Sequence, residues 1–155
     1  MKVFVDADAC PVKEIIVAES KRRGVPVTML IDTSHVLNDG YSTVITVDQG
    51  PDIADIRLVN LLAPGDVVVT QDYGVAAMSL GRGAKALNQN GLVYDSSNMD
   101  RLLFERALGK KIRRAGGRFG KNRKRQRSDD EAFRASFVRL LEETGTPPER
   151  KQGFK

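Results

Sequence analysis

"DVVVTQD", residues 66–72, is a run of three valines closed by a polar triplet. β-branched residues at this density, bounded by Gly65 and Gly74, have the length and composition of a strand buried on both faces. Strands of that kind belong to parallel sheets, whose two faces are covered by helices. The flanking chain agrees. "KVFVD" (2–6), "VPVTMLI" (25–31) and "STVITV" (42–47) are further runs of strand length, the last two separated by a polar turn at "NDG" (38–40). Between the strands lie helical patterns. Pro11 suits a helix start, with Val12, Ile15 and Ile16 at helical spacing and Gly24 as the stop. "GPDIADIRLVNLLAPG" (50–65) places Ile53, Ile56, Val59 and Leu62 on one predicted apolar face. After the valine strand come a short helix "VAAMSLG" (75–81), the segments "AKAL" and "LVY" around an "NQNG" turn, and a helix expected from Asn98 to Gly109. The reading is an α/β fold of three layers, a mostly parallel sheet with helices on both faces.

The remainder of the chain divides by charge. Residues 110–127, "KKIRRAGGRFGKNRKRQR", hold ten Lys/Arg and no acid, whereas residues 1–109 hold ten basic and fourteen acidic side chains. One short block therefore supplies the whole positive excess behind the net charge of +5. It lacks an apolar period and is expected as a basic linker between an α/β domain at 1–109 and a C-terminal helix and tail at 128–155. In that last segment Ser128 and Glu131 form a capping-box pattern, and Phe133, Phe137, Leu140 and Leu141 an apolar stripe. A basic block on a mildly acidic body suits a polyanionic partner, since it can displace counterions from phosphates. The expected contacts are Lys110, Lys111, Arg113, Arg114, Arg118, Lys121, Arg123, Lys124, Arg125 and Arg127. A solvated tail is the plain alternative.

At 155 residues there is room for one ordinary domain. No apolar run approaches the roughly 18 residues of a membrane span. The N-terminus enters a strand pattern without the features of a secretory leader, so a cytoplasmic location is the expectation. The single cysteine, Cys10, excludes an internal disulfide and a cysteine cluster, and the single histidine, His35, excludes a histidine-based metal site. Packing is the expected role of Cys10.

Carboxylates recur where strands end. Asp6 and Asp8 close the first strand, Asp72 closes the valine strand, Asp52 and Asp55 stand near a helix start, and Asp95 follows the last strand segment. In an open parallel sheet the carboxyl ends of the strands form the ligand crevice. Acids gathered there repel one another unless a cation lies between them, and hard oxygen donors suit Mg²⁺ or Mn²⁺. Aspartate is also a favoured cap and turn residue, which is the plain reading of Asp6, Asp8, Asp52 and Asp95 taken singly. Asp55 lies too deep in its helix to be a cap, with solvated surface as its alternative.

"VDADACPVK", "DIADIRLV", "PGDVVVTQDYGVAA" and the phenylalanine-bearing last helix together resemble the YaiI/YqxD family of small bacterial proteins, among the PIN-like domains, over residues 1 to about 140. The resemblance implies a PIN-like fold and a metal-dependent nuclease site. Its acid positions fall on Asp6, on Asp55 or Asp52, and on Asp72 after Thr70 and Gln71, with Asp8 as an acid typical of the family and Asp95 as a fourth candidate. Many PIN-like nucleases carry another acid soon after the third position; here Tyr73 and Gly74 follow.

The resulting expectation is a Mg²⁺- or Mn²⁺-dependent nuclease acting on RNA or single-stranded nucleic acid. Asp6, Asp8, Asp55 and Asp72 would be its catalytic acids, and a homo-oligomer is compatible with it. Two alternatives stay open. One is a non-catalytic RNA-binding or ribosome-associated module. The other is a phosphatase of the haloacid-dehalogenase type, suggested by "DADAC", with Thr33 or Ser34 and Lys85 in supporting roles.

Overall fold

Val3 and Val5 point to one side of the first strand and Phe4 to the other, and all three are buried. Val67, Val68 and Val69 repeat the pattern. Two strands buried on both faces need a helix layer above and another below, and both are present in the computed structural model, which describes residues 1–8, 10–32, 37–48, 53–116 and 124–145. The elements run β1 (Val3–Asp6), α1 (Lys13–Arg22), β2 (Val27–Asp32), β3 (Thr43–Val47), α2 (Ile53–Leu61), β4 (Val67–Val69), α3 (Tyr73–Gly81), β5 (Lys85–Leu87), β6 (Val93–Tyr94), α4 (Ser96–Arg114) and α5 (Arg127–Gly145). The sheet order is β3-β2-β1-β4-β5-β6. Every neighbouring pair is parallel except β5 and β6. Val3 stands opposite both Val27 and Val67, so β1 is the centre from which the chain builds outward in each direction.

The alternating side chains sort the helices. Val3, Val5, Met29, Val67 and Val69 pack with α1 and α5, while Phe4, Leu30 and Val68 pack with α2, α3 and α4. The stripe expected on the last helix is realised: Phe133, Phe137, Leu140 and Leu141 are all buried, and the two phenylalanine rings stack with centroids 5.3 Å apart. That helix is thus part of the layered core. It begins at Arg127, where Asp129 accepts a hydrogen bond from the Gln126 N–H at 2.8 Å, so the cap lies upstream of the expected Ser128–Glu131 box. Burial alone would raise the Glu19 carboxyl, but hydrogen bonds from Arg23 and Arg134 outweigh it and hold the group below the ordinary carboxylate range. This pairing ties α1 to α5.

Two further expectations change. The predicted face of α2 is misaligned: Ile53 and Ile56 are exposed, and Leu58 with Leu62 enters the core. The cause is geometric, because the helix presents a narrow strip to the sheet and its other side to solvent. The helix expected to stop at Gly109 continues to Arg114, so Lys110–Arg114 leave the linker and join α4. Lys and Arg are good helix formers, and their charge favours a helix C-terminus. Gly91, in the turn between β5 and β6, has φ of +88°, and a Cβ there would meet the Ala132 carbonyl oxygen at 2.5 Å. Glycine at this point lets the turn lie directly on α5, where the Ser136 hydroxyl donates to the Gly91 carbonyl at 2.7 Å. Among the described residues no helix is long and apolar enough to cross a membrane.

Candidate functional site

The strand order reverses between β1 and β4: β2 and β3 lie to one side, β5 and β6 to the other. Loops leaving adjacent strands in opposite directions open a crevice at the strands' carboxyl ends. Asp6 closes β1 at this crevice, and Thr70, Gln71 and Asp72 follow β4 into it. Buried Thr70 joins the two sides. Its hydroxyl donates to Asp6 Oδ2 at 3.3 Å and accepts the Asp72 N–H at 3.0 Å, while the Tyr94 hydroxyl donates to its carbonyl.

Asp72 is the N-cap of α3: Oδ1 accepts from the Gly74 and Val75 N–H groups at 2.7 and 3.1 Å. This capping bond fixes the carboxylate and leaves Oδ2 as the oxygen available to another partner. Asp8 Oδ2 accepts the Asp32 N–H at 3.2 Å, tying the loop after β1 to the end of β2. Asp55 lies in the first turn of α2. Asp6 senses all three. Its carboxyl is pushed up from 3.8 to about 6 by burial first, then by repulsion from Asp55, and to smaller degrees from Asp8 and Asp72, against the lowering effect of the Thr70 hydroxyl.

Four of the expected acids are therefore close enough to act electrostatically on one centre. Among the described residues, however, no three Asp, Glu, Cys or His side chains are grouped as ligands of one ion. The fit to a divalent cation is one of charge and donor type: hard oxygens, like in sign, at a partly buried strand end. Asp52 lies outside the described residues, as do Thr33, Ser34 and His35.

Asp95 does not join the group. β6 runs antiparallel, with Leu87 opposite Val93 and Ala86 opposite Tyr94, so the residue after Tyr94 emerges at the other end of the sheet. There it caps α4 in a capping box with Asn98, and hydrogen bonds from Ser97 and Asn98 hold its carboxyl below the ordinary range. Lys85 begins β5 beside Val67 at that same far end, so it is not placed to assist Asp6. Cys10 is buried in the core, and burial pushes its thiol up.

The reversed strand has a second effect. α4 starts at the far end and runs back, so its basic C-terminal part reaches the crevice. Arg106, Lys110 and Arg113 line a cavity of about 510 Å³ together with Gln71, Asp72 and Tyr73. Of the other basic residues expected to contact nucleic acid, Lys111, Arg114 and Lys124 are exposed, and Arg118, Lys121 and Arg123 lie outside the described residues. Arg127 lies 3.9 Å from Glu131 on an exposed face. Arg125 is committed to the fold: its guanidinium donates to Asp130, to the Asn90 side chain and to the Gln89 carbonyl. Arg106, Tyr73 and Gln71 were not legible as site residues from sequence, because only the sheet's direction change brings α4 to β4.

A family model described as "Uncharacterized BCR, YaiI/YqxD family" matches residues 4–143. The UPF0178 protein of Ruminiclostridium cellulolyticum is 62% identical over 96% of this chain and 97% of its own length. Those of Clostridium acetobutylicum and Exiguobacterium sibiricum are 50% and 48% identical, over 91% and 92% of this chain and 97% and 98% of theirs. No solved structure matches. On a match that runs through both β1 and α5, the chain belongs to the YaiI/YqxD family.

Proposed function

We propose that the protein is a Mg²⁺- or Mn²⁺-dependent nuclease acting on RNA or single-stranded nucleic acid, in keeping with its PIN-like resemblance. The observation that carries the reading is geometric: Thr70 bridges Asp6 to the Asp72 turn at the point where the strand order reverses, and burial together with Asp55, Asp8 and Asp72 pushes the Asp6 carboxyl up to about 6. Charge repulsion of this kind, in a crevice, marks sites that bind or react. Asp6 and Asp72 would hold the cation, with Asp55 and Asp8 in support. A bound divalent ion supplies polarisation of water and neutralisation of charge on a phosphodiester. The chain's own groups set the stage. Thr70 fixes Asp6 against the Asp72 turn, the α3 cap holds Asp72 in one rotamer, and Arg113, Lys110 and Arg106 neutralise backbone phosphates. The expected products carry a 5′-phosphate.

Tyr73 and Gly74, standing where many PIN-like nucleases carry another acid, favour the second reading, a module that binds RNA without cutting it. One experiment separates them. Labelled RNA and single-stranded DNA are incubated with the protein in Mn²⁺, in EDTA, and with Asp6→Asn or Asp72→Asn. Cleavage that needs Mn²⁺ and falls at least about 100-fold in either variant supports the nuclease. Salt-sensitive binding with no cleavage under any condition supports the module.

A further inference from the structure

The cavity beside Asp72 has a composition that cation binding does not explain. Arg106, Lys110 and Arg113 are spaced i, i+4 and i+7, on one face of α4. Among the described residues none of the three makes an ion pair or a side-chain hydrogen bond. A row of cations with no partner on one exposed face is a site for an anion, and Asp72, which also lines the cavity, has Oδ1 committed to the α3 cap. Glu105, the acid of α4 in the same cavity, is already engaged by Arg101 at 3.2 Å. Tyr73 supplies the apolar wall. Its ring is half-buried and set edge-on against Tyr94, with centroids 5.9 Å apart and planes at 68°, which fixes the ring that lines the cavity. Gln71 adds an amide able both to donate and to accept. An aromatic platform, an amide and a cationic row are the elements that hold a base and its phosphate. The volume falls within the roughly 300–1,000 Å³ of small-ligand sites.

We infer that this cavity seats one nucleotide of a single-stranded nucleic acid, adjacent to the phosphodiester at the Asp6–Asp72 crevice. Its phosphate lies on Arg106, Lys110 and Arg113, and its base lies against Tyr73. The assignment rests on the nuclease reading for its adjacency, though not for its ligand. A polymer fits better than a free nucleotide because Asp72 lines this cavity and is also tied through Thr70 to Asp6, so the cavity opens onto the crevice where the phosphodiester would lie.

The test is binding of a 5′-phosphorylated, fluorescein-labelled pentaadenylate to the full chain in EDTA, followed by anisotropy over a range of salt. Arg106→Ala is expected to weaken binding about tenfold and to lower the log–log salt slope by about 0.7. Tyr73→Leu should weaken it about tenfold with the slope unchanged, and Tyr73→Phe should bind as the parent does. Circular dichroism melts confirm that each variant is folded. Unchanged affinity and slope in Arg106→Ala, or unchanged affinity in folded Tyr73→Leu, overturns the assignment. The two ideas fail separately. If Mn²⁺-dependent cleavage is lost in Asp6→Asn but Arg106→Ala and Tyr73→Leu keep the parent KM, the nuclease stands and the cavity does not. If the cavity variants lose pentaadenylate while the parent never cleaves, the cavity stands and the nuclease does not.

Discussion

Glu19 and Asp6 are both carboxylates drawn into the fold, and they are treated in opposite ways. Glu19, on α1, has three arginines against it, Arg22, Arg23 and Arg134, and is held below the ordinary carboxylate range in spite of its burial. Asp6, at the end of β1, receives one hydrogen bond from Thr70 among the described residues and faces three other acids, so its carboxyl is raised. One is a structural pair whose charge is satisfied. The other is a charge the isolated chain leaves uncompensated at a cost in stability, the kind of group from which binding and reacting sites are built.

The largest effect is expected at the satisfied node. Glu19→Ala leaves Arg134 without its partner between α1 and α5, and the expected loss is about 3 kcal/mol by urea unfolding at pH 7. The low end of the range applies because Arg134 is 43% exposed and Arg23 keeps Glu142 at 3.2 Å. A loss below about 1 kcal/mol would mean that the pair contributes little and the contrast is false. Next comes Asp6 itself. If a cation does for Asp6 what arginines do for Glu19, Mn²⁺ at a hundred times its dissociation constant should stabilise the protein by about 2.7 kcal/mol, and EDTA should remove the gain. Thermal melts with Mn²⁺, with EDTA and with Asp6→Asn check this. A melting temperature indifferent to Mn²⁺ in the parent breaks the comparison.

Asp6→Asn in the absence of metal should stabilise the chain, an unusual direction for a site substitution. A carboxyl whose folded pKa lies above its unfolded value contributes stability that is full below about 3.8 and lost as pH rises through about 6. The rise corresponds to about 3 kcal/mol, and solvent at the partly exposed sheet end reduces the expected gain at pH 8 to about 2 kcal/mol. Glu19 has the opposite sign: its contribution is present above its ordinary value of 4.5 and lost as pH falls through the lowered one. Unfolding from pH 4.5 to 8 should therefore show the parent and Asp6→Asn diverging with rising pH. Parallel curves would show that Asp6 is not raised.

Much of this contrast could be read from the sequence, and the parts that could not depend on how distant segments meet. β-branched runs and their closing acids placed Asp6 and Asp72 at the sheet's carboxyl edge, because strand burial and parallel topology are local signals. The stripe of α5 was equally plain, since Phe133, Phe137, Leu140 and Leu141 repeat at helical spacing. β6 is only Val93–Tyr94 in length, too short to reveal its direction, and its reversal decides two things at once. It sends Asp95 away from the other acids and returns Arg106, Lys110 and Arg113 to them. The pairing of Glu19 with Arg134 spans 115 positions and has no local pattern. α2 misled because Ile53 and Ile56 have helical spacing yet face solvent.

The smallest expected effect tests how the unsatisfied node is built. Thr70→Val keeps the shape of a buried residue and removes one hydroxyl, which donates to Asp6 and accepts from the Asp72 N–H. The expected loss of stability is about 1 kcal/mol, from a backbone N–H left without its partner. The more telling change is electrostatic. Among the described residues the Thr70 hydrogen bond is the influence that lowers the Asp6 carboxyl, so its removal should raise that group above its value of about 6. If Asp6 must be ionised for cleavage, the acid limb of the pH–rate profile in Mn²⁺ moves to higher pH in Thr70→Val and returns in Thr70→Ser. A profile that keeps its acid limb while losing rate at every pH would assign Thr70 to the Asp72 turn instead. Asp6 would then owe its state to burial and to the neighbouring acids alone.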